Sequence, residues 1–255
     1  MMCVRKESTG ALAPVFFLGV IKMIGIMSEY LAGSMNPFNV FKVAAHNVAF
    51  KKAHPEYFDP EGLLIFCGAQ GSGKTLSAVQ YVKKVCKAYP KAILCTNVAI
   101  TGLPEETQVV EYDGIECLKT LENGYAGVIY FIDEIHLEFN SLESKNIDIE
   151  VMIEVSQQRK QRKHIVGTSQ VYGRLAKPFR EQIRNVVLCS NFAKVLQVNR
   201  LIDGLKSREE DGKLITESCS VHFWFHSPAL YDCYDTYAKM KRYRKEWNGR
   251  KRINE

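Results

Sequence analysis

The sequence predicts an α/β fold, a mostly parallel sheet covered by helices on both faces. Three observations carry that expectation. Five short, largely apolar runs, at 63–67, 92–96, 128–132, 164–168 and 186–189, are unbroken rather than alternating, which is the pattern of strands buried on both sides. Stretches of helical character separate them, at 74–89, 114–122, 147–162 and 173–184, and such alternation builds crossovers between parallel strands. Third, a glycine-rich segment follows the first run and opens the first of those helices, the arrangement that turns a helix N-terminus toward an anion at the sheet edge.

Taken in order, residues 1–61 read as an N-terminal extension. Asn36-Pro37 supplies a cap and a first-turn proline. Phe38, Phe41, Ala45, Val48 and Ala49 then fall on one face of an amphipathic helix expected over 37–53, which His54-Pro55 ends. Residues 62–194 form the core. Residues 195–238 read as a small appendage, in which the runs 195–201 and 214–225 make a hairpin around Asp211-Gly212, with a short helix near 230–243. The last stretch, 239–255, is a basic tail.

With 46% hydrophobic and 24% charged residues, the 255-residue chain can bury a sizeable core and has no disordered or repetitive segment. Its net charge of +6 resides in the tail, where eight Lys and Arg from Lys239 to Arg252 face two acids, Glu246 and Glu255, while 1–238 is neutral. A tail of this kind suits phosphate backbones or anionic lipid heads; the plainer alternative is a solvated terminus. The eight cysteines show no CxxC pair and no zinc spacing, so a reducing, cytoplasmic setting without a disulfide framework is expected. Residues 11–27 are apolar apart from Lys22. On an insertion scale the apolar residues contribute roughly −3 to −5 kcal/mol against about +3 kcal/mol for a central lysine. That near-balance leaves three readings open: an anchor at the cytoplasmic face of a membrane, an interfacial or packed segment, or an extension upstream of a start at Met27 or Met35.

The segment Gly68-Ala69-Gln70-Gly71-Ser72-Gly73-Lys74-Thr75 matches G-x-x-x-x-G-K-[ST], the Walker A pattern. Glycines let the backbone fold into a concave nest whose N–H groups face phosphate oxygens. Lys74 then neutralises charge between the β- and γ-phosphates of ATP, Thr75 offers its hydroxyl to Mg²⁺, and Leu76 completes the nucleotide-binding set. An accidental glycine-rich turn is the bland alternative, but the flanking strand and helix are what the mechanism requires.

A second motif, Val128-Ile129-Tyr130-Phe131-Ile132-Asp133-Glu134, ends an apolar strand in two carboxylates, the Walker B pattern. Adjacent acids are costly unless a cation sits beside them. Asp133 is expected to join Thr75 in holding Mg²⁺, and Glu134 to orient and deprotonate the attacking water. Gln170, directly after the strand at 164–168, is a candidate sensor of the γ-phosphate or lytic water, against a plain loop residue. Arg159 and Arg162 are candidates for an arginine finger reaching a neighbouring chain, the alternative being that they complement the C-terminal dipole of their helix. Arg180 and Arg184 are further finger or DNA-contact candidates. His136 is expected to orient the strand-end loop rather than to act as a base.

GAQGSGKT after an apolar strand, VIYFIDEIHLEF, and SQQRKQRKHIVGTSQ followed by FREQIRNVV resemble the N-terminal ATPase domain of the zonular occludens toxin (Zot)-like proteins. That family is similar to the FtsK/HerA group of DNA-pumping ATPases and includes filamentous-phage assembly proteins. The resemblance covers residues 62–227. It implies a P-loop NTPase with Walker A at 68–75, Walker B at 128–134 and the strand-end glutamine at Gln170. It further implies an ATP-driven, ring-forming motor for phage or mobile-element DNA, working in packaging, extrusion or virion assembly, with DNA and phage structural proteins as partners. Filamentous-phage members carry a membrane-spanning segment after the ATPase domain; here the apolar run is N-terminal, at 11–27, where membrane contact would have to arise. The extracytoplasmic portion to which the toxin name refers is lacking, so toxin activity is not expected. Two other readings use the same motifs: a P-loop kinase or nucleotide switch, and a membrane-docked assembly protein whose nucleotide site serves oligomerisation.

Overall fold

The unbroken apolar runs become the inner strands of a single sheet in a computed structural model that describes residues 37–235, apart from 143–146, 205–207, 211–212 and 216–217. The chain divides into two compact units, Met1–Pro55 and Glu56–Glu255.

In the first unit, α1 (Pro37–Ala53) forms where the cap and first-turn proline place it. It is not amphipathic in the expected sense. Phe41 is 74% exposed and Val48 66% exposed, and Ala45 and Ala49 are exposed as well. The reason lies in the sequence, since Val43, Ala44 and Phe50 spread apolar surface around the helix rather than along one stripe. Residues 11–27 lie outside the described residues. Among the described residues no helix is long and apolar enough to cross a membrane.

The second unit is built on eight strands in the order β11-β8-β7-β1-β6-β5-β2-β4. These are β1 (Leu63–Cys67), β2 (Ile93–Thr96), β4 (Val109–Glu111), β5 (Val128–Ile132), β6 (Lys163–Ser169), β7 (Ile183–Phe192), β8 (Leu196–Asp203) and β11 (Ser218–Phe225). From β4 through β7 every pairing is parallel. On one face Ile65, Tyr130, Ile132 and Ile165 pack with Val151 and Val155 of α4 (Ile149–Gln157). On the other, Leu64, Phe66, Ile129 and Phe131 pack with Ala78, Val79 and Val82 of α2 (Lys74–Ala88). Both pleat faces of β1 and β5 are therefore apolar, which is why their sequences do not alternate.

The C-terminal hairpin is continuous with this sheet. β8 pairs antiparallel with β7 along its full length, and β11 pairs antiparallel with β8. The turn between β7 and β8 places Ala193 and Lys194 at φ 52° and 57°, the left-handed pair that matches the twist of a tight hairpin. Two short pairs complete the topology: β9 (Arg208–Glu210) with β10 (Lys213–Ile215), and β3 (Ala99–Ile100) with β12 (Tyr234–Asp235). Near the chain's described end, α6 (Pro228–Tyr231) is a single turn.

Three expected helices are shorter than their periodicity. The stretch 114–122 yields α3 (Cys117–Thr120), 147–162 yields α4, and 173–184 yields α5 (Lys177–Arg180). Pro178 restarts the last one after an extended break at Leu175 and Ala176. Arg162, at φ 54°, turns the chain left-handed before β6.

Candidate active site

β1 and β6 carry two loops to the same edge of the sheet, because they run parallel and end together, with Cys67 opposite Ser169. The loop after β1 is the Walker A segment. Gly73, at φ 82°, caps α2 in a left-handed conformation that a side chain resists, and a Cβ there would collide with Gln197 Oε1. At Gly68 a Cβ would lie 2.6 Å from the Cys189 carbonyl. Lys74 is 7% exposed and its Nζ donates to the Ala69 carbonyl at 3.2 Å, so the ammonium folds back over its own loop. Beneath it the Cys67 and Cys189 thiols are pushed up to about 12 by burial. They are neutral and put no negative charge against a bound phosphate.

Walker B comes from β5, separated from β1 by β6. The first turn of α2 closes that gap, with Thr75 Oγ1 3.0 Å from Asp133 Oδ1. Two further polar residues hold the acid. Thr168 Oγ1 donates to Asp133 Oδ1 at 2.7 Å. Asn97, directly after β2, accepts from Asp133 N at 2.9 Å and donates to the Asp133 carbonyl at 3.1 Å. Glu134 sits at φ 55° and its N–H donates to Thr168 Oγ1 at 2.9 Å. A left-handed non-glycine residue costs about 1–2 kcal/mol. Here it aims the carboxylate off the strand end, with Oε2 3.2 Å from His136 Nδ1.

These positions are those of a P-loop α/β fold, with a glycine-rich loop and an acidic strand end on one edge of the sheet.

The donor set fits a nucleotide with its cation. Ser72 Oγ is buried in the loop without a hydrogen-bond partner, and Thr75 and Asp133 present hard oxygens side by side, the ligands Mg²⁺ takes alongside phosphate oxygens. Gln70 and Gly71 are exposed at the mouth of the loop, whereas Leu76 is buried, so its side chain belongs to the core. Gln170 is exposed at the end of β6, between the phosphate loop and the acid pair. The arginines lie elsewhere. Arg162 precedes β6, at the opposite edge, and its guanidinium is clamped between Tyr57 and Tyr125 at 4.4 Å and 4.6 Å. The two rings hold its guanidinium within its own chain. Arg159 is exposed and, with Arg184, flanks Gly62 at the start of β1. Arg180 lies over the Tyr172 ring at 5.7 Å. Arg159, Arg162 and Arg184 lie at the edge opposite their own chain's Walker A loop, whereas Arg180 approaches the segment after β6 through Tyr172.

Sequence reading missed Thr168, Asn97 and the residues of β8 that touch the loop. A polar residue at or just past the C-terminal end of an apolar parallel strand was the available signal for the first two. The β8 contacts had none.

No family model matches the sequence, and no curated protein matches it. Solved structures are similar to parts of the chain. The chain is similar to the N-terminal domain of zonular occludens toxin from Neisseria meningitidis, at 14% identity over 68% of this chain and 98% of that one, with a TM-score of 0.46. It is likewise similar to the genome packaging NTPase B204 of Sulfolobus turreted icosahedral virus 2 in complex with ATP-gammaS, at 13% identity, 62% and 96% coverage and a TM-score of 0.45. The DNA-packaging ATPase B204 of Sulfolobus turreted icosahedral virus is a third, at 14% identity, 51% and 76% coverage and a TM-score of 0.40.

Proposed function

We propose that this chain is an ATP-hydrolysing P-loop motor that acts on DNA in phage or mobile-element packaging, extrusion or virion assembly. The observation that carries the reading is the 3.0 Å contact between Thr75 Oγ1 and Asp133 Oδ1, which joins the two nucleotide motifs in one cleft. Lys74 exchanges its Ala69 carbonyl for the β- and γ-phosphates, while the N–H groups of the loop and the start of α2 cradle them. Thr75 and Asp133 would hold Mg²⁺, which would supply positive charge against the phosphates. Glu134 takes the proton of the attacking water, and Gln170, just past the strand between the motifs, orients that water. Paired acids beside the phosphate loop suit water as the nucleophile, whereas a kinase needs a seat for a second substrate.

The DNA assignment rests on the sequence resemblance to the Zot-like ATPases and on the basic tail 239–255, which lies outside the described residues. Arg159, exposed at the edge opposite its own nucleotide loop, is the finger candidate for the next chain of a ring. ATP turnover of the purified chain, with and without DNA and alongside its oligomeric mass, tests the reading. A motor shows turnover that rises with DNA, DNA binding that weakens steeply with salt, and a multimeric mass. Turnover indifferent to DNA, or an acceptor phosphorylated in place of water, overturns it.

A further inference from the structure

The Walker A loop is gripped from behind by the antiparallel end of the sheet. Gln197, in the middle of that grip, is 0% exposed. Its Nε2 donates to the Ser72 carbonyl at 2.9 Å and to Asn199 Oδ1 at 3.1 Å. Two acceptors on one side of the amide fix its orientation and turn Oε1 to His226 Nε2, 3.0 Å away. The other ring nitrogen, Nδ1, shares a short hydrogen bond with the Tyr231 hydroxyl, which also lies 3.4 Å from the Lys194 carbonyl in the β7–β8 turn. Asn191 Nδ2 donates to the Gly71 carbonyl, and Ser77 Oγ of α2 donates to Asn199 Oδ1 at 3.2 Å. β8 and α6 thus reach the loop through one connected set of polar groups, and β7 reaches it separately through Asn191. Both ends of the Gln197 amide find their partners inside that set.

The geometry points to Gln197 as a positioning residue for phosphate binding. In a planar trans peptide the C=O and N–H point opposite ways. Holding the Ser72 carbonyl outward therefore aims the Gly73 N–H inward, toward the cradle. Gly73 has room for that approach only because it lacks a Cβ, which would strike Gln197 Oε1. His226 acts one step further out. By engaging Oε1 it keeps the amide from flipping, so that the NH₂ group stays on the Ser72 side. The inference rests on the nucleotide reading of the loop and adds to it a determinant outside both nucleotide motifs.

Binding of a fluorescent non-hydrolysable ATP analogue with Mg²⁺, and KM and kcat for ATP, test it in the full chain. Gln197→Glu keeps the shape and the acceptor for His226 but cannot donate to Ser72. It sets a buried carboxylate against two acceptor oxygens, so the melting temperature falls as well; below that transition, analogue binding is expected to weaken about tenfold or more, with KM raised. Gln197→Asn, which keeps the amide one methylene short, is expected to recover part of the loss. His226→Ala, on a half-buried ring, is expected to weaken binding by about threefold to tenfold. In the Gln197→Glu background the same change is expected to add nothing, because the amide it orients is already gone. A merely structural role predicts additive losses that track stability. If Gln197→Glu does not fold, the His226→Ala affinity decides on its own. Wild-type protein that binds the analogue while both variants bind it equally well overturns the inference. Wild-type protein that fails to bind the analogue overturns the nucleotide reading itself.

Discussion

Thr168 Oγ1 donates to Asp133 Oδ1 at 2.7 Å and accepts from Glu134 N at 2.9 Å, so a single hydroxyl on β6 sets both acids of β5. Thr168→Val keeps the shape and removes both bonds. Turnover is expected to fall about tenfold or more with nucleotide affinity changed far less, and stability to drop by about 1–3 kcal/mol. Thr168→Ser is expected to stay near wild type. Steady-state kinetics beside calorimetric binding checks this, and a Val variant with wild-type kcat contradicts it.

Lys74 and Glu134 separate binding from chemistry. Lys74→Ala is expected to abolish nucleotide binding or turnover. Glu134→Gln is expected to retain bound ATP while hydrolysis falls by orders of magnitude. Single-turnover assays on trapped ATP distinguish the two, and normal turnover in the Gln variant would remove Glu134 from the proposed role.

Lys163 is a stability element despite standing at the head of β6. It is 2% exposed, and its Nζ reaches Glu154 Oε2 and the Leu118 carbonyl, each at 2.8 Å. Glu154→Gln strands a buried ammonium and is expected to cost about 3 kcal/mol, whereas Lys163→Met with Glu154→Leu together is expected to recover most of it. Urea midpoints of the three proteins check the order.

His164 makes stability depend on pH. Burial lowers its pKa from 6.5 to about 4, with Gly62 O at 2.6 Å from Nδ1 and Tyr81 OH at 3.0 Å from Nε2. Between those values the unfolded chain binds a proton that the folded chain refuses. Stability from this group is therefore complete above pH 6.5 and is lost as pH falls toward 4. Up to about 1.4 kcal/mol per pH unit is expected from one such group. Denaturation at pH 7 and pH 5 measures it, and His164→Gln is expected to remove that part of the slope.

Removal of 239–255 is expected to lower DNA affinity and flatten its salt dependence if the tail contacts phosphates. Unchanged affinity assigns the tail to solvent.

The inner strands were legible because burial on both faces writes itself into five consecutive apolar residues; β1 and β5 run where the sequence placed them. The acids and the phosphate loop were legible because their chemistry demands fixed residue types at fixed spacing. Helix ends were not, since periodicity is blind to the left-handed turn at Arg162 and to the restart at Pro178. The fate of Arg162 was hidden too, as Tyr57 and Tyr125 come to it from distant parts of the chain. The same holds for Gln197. Strand pairing between β7 and β8 decides that it faces Ser72, and no local pattern records the partner of a strand.

β6 stands between the strand of the phosphate loop and the strand of the acids. Neighbouring strands lie about 4.8 Å apart, so two ladders of main-chain bonds put roughly 10 Å between β1 and β5. The gauge of the cleft is thus a property of backbone, indifferent to which side chains line it. Substitutions there can retune what is gripped or how fast it is cut, but the track width stays constant.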